Sequence, residues 1–294
     1  MTEKAKFIIY SDEGQSDPFI KLLITTFREM EFDVTRKPNT WQHWKKAKEQ
    51  ELPCLFIGKP APHAGALCAF RILSSNNWVI DRATKAVETE IGSAEFTPIN
   101  DDGKSKQFLR NLRKRNSEPQ EYEFALTDFA LVVLDDFLAP IGGRETNSFK
   151  IIREVQKFTE ERHIVIHAPM ETYNEKKRDQ LRALDKENWI NFSTAPLDRL
   201  LPACAFVVTQ DGAITLRAAL HEKPCLIYGD EAFHHLARST AKDMRLKKSF
   251  NRLDRDRPDY PGYMKWVLDQ SIDMRSDDAA QLFVKRLQEL NWPN

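Results

Sequence analysis

Short apolar runs alternate with stretches of helical periodicity along this chain, and that alternation calls for parallel β-sheets covered by helices. Lys6-Phe-Ile-Ile-Tyr10 reads as a buried strand ending in Ser11-Asp-Glu-Gly14. A helix fits Pro18 to Met30, because Phe19, Leu22, Leu23, Thr26 and Phe27 share one face and proline suits a first turn. Phe32 to Thr35 reads as a second strand, Trp41 to Gln50 as a helix, and Leu52 to Ile57 as a strand ending at Gly58. Lys59 to Leu67, with its prolines and glycine, is a loop at that strand's carboxyl end, and Trp78-Val-Ile80 is one more strand.

Between Ile91 and Phe124 the chain turns polar, with one helix around Lys104 to Lys114 and a connection bearing Pro119. A domain boundary is placed there. Phe129 to Leu134 opens a second alternating series, followed by a loop (Ala139 to Asn147), a helix (Ser148 to Glu161) and a strand (His163 to His167). A helix from Asn174 to Leu184, a strand from Trp189 to Phe192 and a helix from Pro196 to Cys204 come next. Strand Ala205 to Thr209, helix Ala213 to His221 and strand Pro224 to Tyr228 complete the set, and two helices occupy the tail from Tyr260. The expected fold is α/β, with two Rossmann-like domains at residues 1–124 and 125–294 and tail helices free to cross back onto the first. Ligands of such open sheets bind beyond the carboxyl ends of the strands, where strand order reverses. A cleft between the domains is the expected site.

Composition removes several function classes. Lys plus Arg and Asp plus Glu both number 44, a neutral balance with no footprint for nucleic acid. The basic run Lys104 to Arg115 carries Phe108, Leu109 and Leu112 at helical spacing and reads as the solvated face of a helix. Cys54, Cys68, Cys204 and Cys225 are scattered without a CxxC pair, which argues against a zinc site and a disulfide scaffold. Met1 to Lys6 is charged rather than signal-like, and no apolar run approaches the roughly 20 residues of a membrane-spanning helix. A cytoplasmic location follows as an expectation, with peripheral attachment to the inner face of the membrane through an assembly complex left open.

The most informative stretch is Phe206 to His235. After strand Phe206 to Val208 come Thr209, Gln210, Asp211 and Gly212, and a helix then opens through Ala213 and Thr215. Gly212 permits a tight turn, and the freed N–H groups at the helix start carry about half a positive charge, which suits phosphate. An ordinary βαβ turn has the same spacing.

Asp211-Gly-Ala-Ile-Thr-Leu-Arg-Ala-Ala-Leu-His-Glu-Lys-Pro224 resembles the C-terminal nucleotide-sugar motif of the GT-B glycosyltransferases, a "GxxTxxEAL-x-GKP" helix between two strands. Within that superfamily it is most similar to the capsule polysaccharide biosynthesis proteins, including the transferases that use CMP-Kdo. Their strand-ending His-Pro has a counterpart in His167-Ala-Pro169, and their Gly-x-x-Phe-Tyr in Gly229-Asp-Glu-Ala-Phe233-His234. The resemblance covers about Leu131 to Thr240 and implies a GT-B arrangement of the two domains. It further implies a metal-independent transferase with no cofactor, moving a sugar from a nucleotide-sugar donor (CMP-Kdo or another) to a bacterial surface glycan acceptor. It assigns His167, Pro169, Thr209, Gln210, Asp211, Gly212, Ala213, Thr215 and Arg217 to the nucleotide sugar, with Tyr228 and Phe233 as a surface for the base.

The chain also departs from that pattern. Gln210-Asp211 replaces a Ser-Ser or Ser-Thr pair, and Asp211 suits a sugar hydroxyl or the helix cap. Arg217 replaces a glutamate and favours a phosphate or a carboxylate such as that of Kdo. Asp135 and Asp136, after Leu131-Val-Val-Leu134, suit acid–base work, hydroxyl binding or helix capping. Asp12 and Glu13 end the first strand and are candidate bases for an acceptor hydroxyl, while Gly58, His63 and Gly65 are expected beside them. Two alternatives stand beside the transferase: a nucleotide-sugar 2-epimerase, and a non-catalytic glycan-assembly protein of the same fold. No P-loop, GxSxG, HExxH or metal-dependent DxD motif was identified.

Overall fold

The computed structural model describes residues 4–12, 14, 16–73, 76–85, 88–98, 101, 103–116, 126–133, 148–159, 162–167, 175, 179–180, 183, 189–210, 212–228, 232–240, 246–253, 255 and 257–293. In chain order these form β1 (Lys6–Tyr10), α1 (Pro18–Glu29), β2 (Asp33–Lys37), α2 (Trp41–Gln50), β3 (Cys54–Ile57), β4 (Leu67–Ile72), β5 (Asn77–Asp81), α3 (Glu90–Ser93) and α4 (Lys104–Asn116). Then come β6 (Phe129–Val133), α5 (Ser148–Thr159), β7 (Ile164–His167), β8 (Ile190–Ser193), α6 (Leu197–Leu200), β9 (Cys204–Thr209), α7 (Gly212–Leu220) and β10 (Cys225–Ile227). The chain ends with β11 (Arg238–Ser239), α8 (Leu246–Leu253), α9 (Tyr260–Asp269), β12 (Ile272–Asp273) and α10 (Ala279–Glu289). Among the described residues no helix is long and apolar enough to cross a membrane.

Contacts divide the chain into two compact units, Met1–Ala94 with Val267–Asn294, and Glu95–Trp266. The first unit holds a sheet of order β12-β5-β4-β3-β1-β2. Its β1, β2, β3 and β4 pair in parallel, while β5 runs antiparallel to both of its neighbours. The interior strand β1 is buried from Phe7 to Tyr10, as a parallel strand covered on both faces requires, whereas the edge strand β2 alternates in exposure. Helix α1 starts at Pro18 and is capped by Asp17, whose carboxylate accepts from the N–H groups of Phe19 and Ile20. Its inner face sends Phe19, Leu23 and Phe27 into an aromatic core.

The C-terminal segment returns to that core. Phe283 and Leu287 of α10 are buried in it, and Arg286 donates to the Ile80 carbonyl and pairs with Asp81 and Glu90. Trp292 packs its ring 5.3 Å from those of Phe7 and Phe27 and donates from Nε1 to Gly65 O. Helix α4, by contrast, belongs to the second unit. Leu109 and Leu112 are buried there, and Arg113 donates to the Leu220 carbonyl and pairs with Glu222. The division after Ala94 therefore differs from the boundary expected at 124/125, which placed α4 in the first domain.

The loop between β3 and β4 also differs from expectation. Because β3 and β4 are parallel, with Leu55 opposite Leu67, residues 58–66 run back from the carboxyl end of the sheet to its amino end. Gly58 opens the turn at a φ of 73°, a conformation that favours glycine. His63 fixes the far end: Gly65 N–H donates to Nδ1 at 3.2 Å, and Nε2 lies 3.0 Å from the Leu52 carbonyl. With its proton on Nε2 the ring satisfies both contacts. His63 and Gly65 thus lie away from Gly58, at the opposite end of the sheet.

The second unit builds a wholly parallel sheet of order β11-β10-β9-β6-β7-β8. One face is covered by α5 and α8 through Ile151, Ile152, Val155, Phe250 and Leu253. The other is covered by α6 and α7 through Leu197, Leu200, Ile214 and Ala218.

Candidate functional site

Strand order in the second unit places its switch point. From β6 the chain proceeds through β7 to β8 in one direction, and then returns beside β6 with β9 and proceeds through β10 to β11 in the other. The reversal falls between β6 and β9, which is where an open α/β sheet holds a ligand. Register brings the last strand residues into one row across this point: Ser193, His167, Val133, Thr209, Ile227 and Ser239. The row faces the layer of α6 and α7, since Val133 and Ile227 pack in that core. Helix α7 opens at Gly212, three residues after β9 ends at Thr209.

His167 closes β7 and is half-buried. Burial pushes its pKa below the ordinary 6.5; a hydrogen bond with the Ala195 backbone opposes that shift, and the positive Arg217 adds to it. The imidazole is therefore held neutral, with its one N–H directed to the Ala195 backbone and its other nitrogen left as an acceptor. Arg217 itself is engaged by Asp198 of α6, with Nη2 2.7 Å from Oδ2. It was expected to be available to a phosphate or a carboxylate; the pair instead ties α7 to α6. Asp198 carried no motif that would have marked it.

Thr209 and Thr215 are fully buried, and the Thr215 hydroxyl lies 3.7 Å from Cys225 Sγ, so both pack within the unit. Gln210 donates from Nε2 to the Tyr228 carbonyl at 3.0 Å, which fastens the turn after β9 to the end of β10. Gly212 is buried and Ala213 exposed. Tyr228 was expected to offer a face to a base. Its side chain lies in the core beside Ile151 and Val155, on the face opposite α7, and its hydroxyl donates to Glu154 Oε2 at 3.0 Å. Phe233 is likewise buried, at 4% exposure, which leaves no ring face for a base. Glu13, Asp135, Asp136, Pro169 and Asp211 lie outside the described residues.

The first unit has a switch point of its own between β1 and β3. Asp12, just beyond β1, is exposed, and its Oδ1 accepts from the Asn39 N–H at 3.1 Å. The Asn39 amide passes over β1 to donate to the Ile57 carbonyl at the end of β3. Asn39 was not singled out in the sequence, because nothing local shows that residue 39 reaches across two strands.

No family model and no curated protein matches the chain. Solved structures do. The β-Kdo 2,7 transferase of KpsC from Thermosulfurimonas dismutans aligns over 97% of this chain and 99% of its own at 12% identity, with a TM-score of 0.51. The β-Kdo 2,4 transferase of the same KpsC aligns over 90% of each chain at 12% identity and a TM-score of 0.46. Anabaena HepE in complex with UDP aligns over 98% of this chain and 100% of its own at 10% identity and a TM-score of 0.43. The first of these carries the conclusion on architecture: the chain has the two-domain, Rossmann-like fold of GT-B enzymes, in keeping with the resemblance of its β9–β10 segment.

Proposed function

We propose that this chain transfers a sugar from a nucleotide-sugar donor to a glycan acceptor, with the donor phosphates seated at the turn between β9 and α7. The observation that carries the reading is the coincidence of the switch point with that turn. The reversal of strand order, the glycine-initiated helix and the neutral His167 on the same sheet face all meet there. Backbone N–H groups at Gly212 and Ile214 then stabilise charge on the departing phosphate, and the neutral imidazole of His167 accepts from a donor hydroxyl. Thr209, Gln210 and Ala213 shape the turn, and Asp211 binds a sugar hydroxyl. Asp135 and Asp136, which follow Leu134 in the sequence, bind donor hydroxyls. Asp12 or Glu13 takes the proton from the acceptor hydroxyl as it attacks the anomeric carbon.

CMP-Kdo is the donor to test first, because the family motif points to it and the structural relative with the same fold is described as a Kdo transferase. A bacterial surface polysaccharide or lipopolysaccharide is the corresponding acceptor. Calorimetry with CMP, UDP, GDP and their sugars tests the reading. One nucleotide is expected to bind, Gly212→Val to weaken it by about tenfold, and His167→Ala by roughly threefold, the scale of one lost hydrogen bond. No binding at millimolar nucleotide would leave a non-catalytic protein. Turnover of UDP-GlcNAc without acceptor would make the chain an epimerase.

A further inference from the structure

We infer that the outer face of α4 is a docking surface for an anionic lipid bilayer, held by the cationic stripe Lys106, Arg110 and Lys114. Six of the 13 residues of α4 are Lys or Arg and none is acidic, in a chain whose charges balance overall. The helix is fixed from its inner side. Ser105, Leu109 and Leu112 are buried there, and Arg113 is engaged by the Leu220 carbonyl and Glu222. The other five cations, Lys104, Lys106, Arg110, Lys114 and Arg115, are exposed. Lys106, Arg110 and Lys114 follow one another at intervals of four residues, which sets them in a row on one side of a helix.

Local stability does not account for this row. None of its three side chains takes part in an ion pair or a hydrogen bond among the described residues. Asp101, the acid ahead of the helix, is engaged by the buried Ser105, whose N–H donates to it at 2.8 Å. Like charges four residues apart repel on a helix, and Lys104 and Lys106 at its start oppose the helix dipole. Lys114 and Arg115 alone occupy the last turn with Arg113, where the dipole favours a cation. A plane of negative charge beside the helix relieves both costs.

The chemistry of the face selects the partner. Among the described residues the exposed large hydrophobics are Trp41, Leu282 and Val284, none of them on α4. The face thus lacks the apolar centre of a protein interface and the aromatic platform on which single-stranded bases stack. The neutral chain also lacks the broad basic field of a nucleic-acid-binding domain. Long, flexible cationic stems in a straight row match a plane of lipid phosphates, to which each cation adds severalfold in affinity. With no apolar side chain to insert, the contact is electrostatic and reversible.

The inference stands apart from the transferase reading. The test is flotation of the full chain with vesicles of equal parts phosphatidylglycerol and phosphatidylcholine, against vesicles of phosphatidylcholine alone. Binding is expected only to the first, with release in molar salt, because salt screens exposed charges. Joint substitution of Lys106→Gln, Arg110→Gln and Lys114→Gln is expected to weaken it about a hundredfold, at roughly fivefold per cation. Lys106→Arg with Lys114→Arg keeps the charge and should keep the binding. Lys45→Gln, Lys46→Gln and Lys48→Gln together, on the exposed side of α2, should change it by less than about threefold. Thermal unfolding and nucleotide affinity of the α4 variant should match those of the unsubstituted chain, so loss of the bilayer surface and loss of the nucleotide site report separately. The inference is overturned if neither vesicle floats the chain, if the α4 variant binds as the unsubstituted chain does, or if the α2 variant loses as much. Tighter binding to single-stranded RNA or duplex DNA at equal phosphate concentration would also overturn it, and would make α4 a nucleic-acid surface.

Discussion

The two units solve the same packing problem and end their strands differently. Each has a parallel sheet whose order reverses between neighbouring strands, β1 and β3 in the first and β6 and β9 in the second. In the first unit β1 leads to α1, whose opening N–H groups are already taken by Asp17, itself paired with Arg71. The other switch strand, β3, leads to no helix, because the chain turns at Gly58 and runs back along the sheet. In the second unit β9 leads through Gln210 to a glycine-initiated helix. A helix that opens at glycine lets the backbone turn tightly at its first residue, whereas α1 opens at proline behind an aspartate cap. Equivalent sheets thus end in different turns, and the turn after the strand is where the two units diverge.

The cores differ as well, and this gives the largest expected effect. The first unit is closed by Trp292, which contacts Phe7, Phe27 and Phe32, while the second unit is one continuous segment and needs no returning one. Trp292→Ala should cost about 3–5 kcal/mol, as for other buried aromatic truncations. Hydrogen exchange should accelerate in β1 to β5 and not in β6 to β10. Equal acceleration in both units would show that they do not fold separately.

A smaller effect is expected from acid, confined to the second unit. Burial, and then Arg113, push the pKa of His221 from 6.5 down to about 4, with Lys223 and Arg217 adding to the shift and Asp198 opposing it. Between these values the unfolded chain binds a proton that the folded chain excludes, so stability falls as pH falls. The contribution is complete above 6.5 and is lost by about 4, on the order of 3 kcal/mol. Denaturation of the second unit followed between pH 7 and 4 should show this slope, and His221→Asn should flatten it.

The smallest effect concerns the Arg217–Asp198 pair, whose side chains are 29% and 16% exposed. A double-mutant cycle should return about 1 kcal/mol of coupling, since such pairs are partly screened. Nucleotide affinity in Arg217→Ala should change by less than about threefold, because the guanidinium acts on His167 only through its charge. A selective collapse of CMP-Kdo binding would instead make Arg217 a direct ligand of the donor carboxylate.

Strands buried on both faces were legible because a continuous apolar run has few other uses. Phe7 to Tyr10, Leu55 to Ile57, Ile164 to Ile166 and Phe206 to Val208 all lie in strands. Strand β4 was not legible, since Arg71 interrupts its apolar pattern and no turn signal separates it from the preceding loop. Strands β11 and β12 have two residues each, too few for any period. The polar stretch after α4 resembled a linker, yet the contacts of Arg113 with Leu220 and Glu222 assign that helix to the second unit.

By itself the sequence determined the βαβ alternation, the helix faces and the glycine turn at Gly212, because each depends on residues a few positions apart. Strand order, the return of α10 to the first unit, the burial of Tyr228 and Phe233, the capture of Arg217 by Asp198 and the reach of Asn39 across β1 were decided by tertiary structure. These depend on partners far apart in the chain, and only packing brings such partners together.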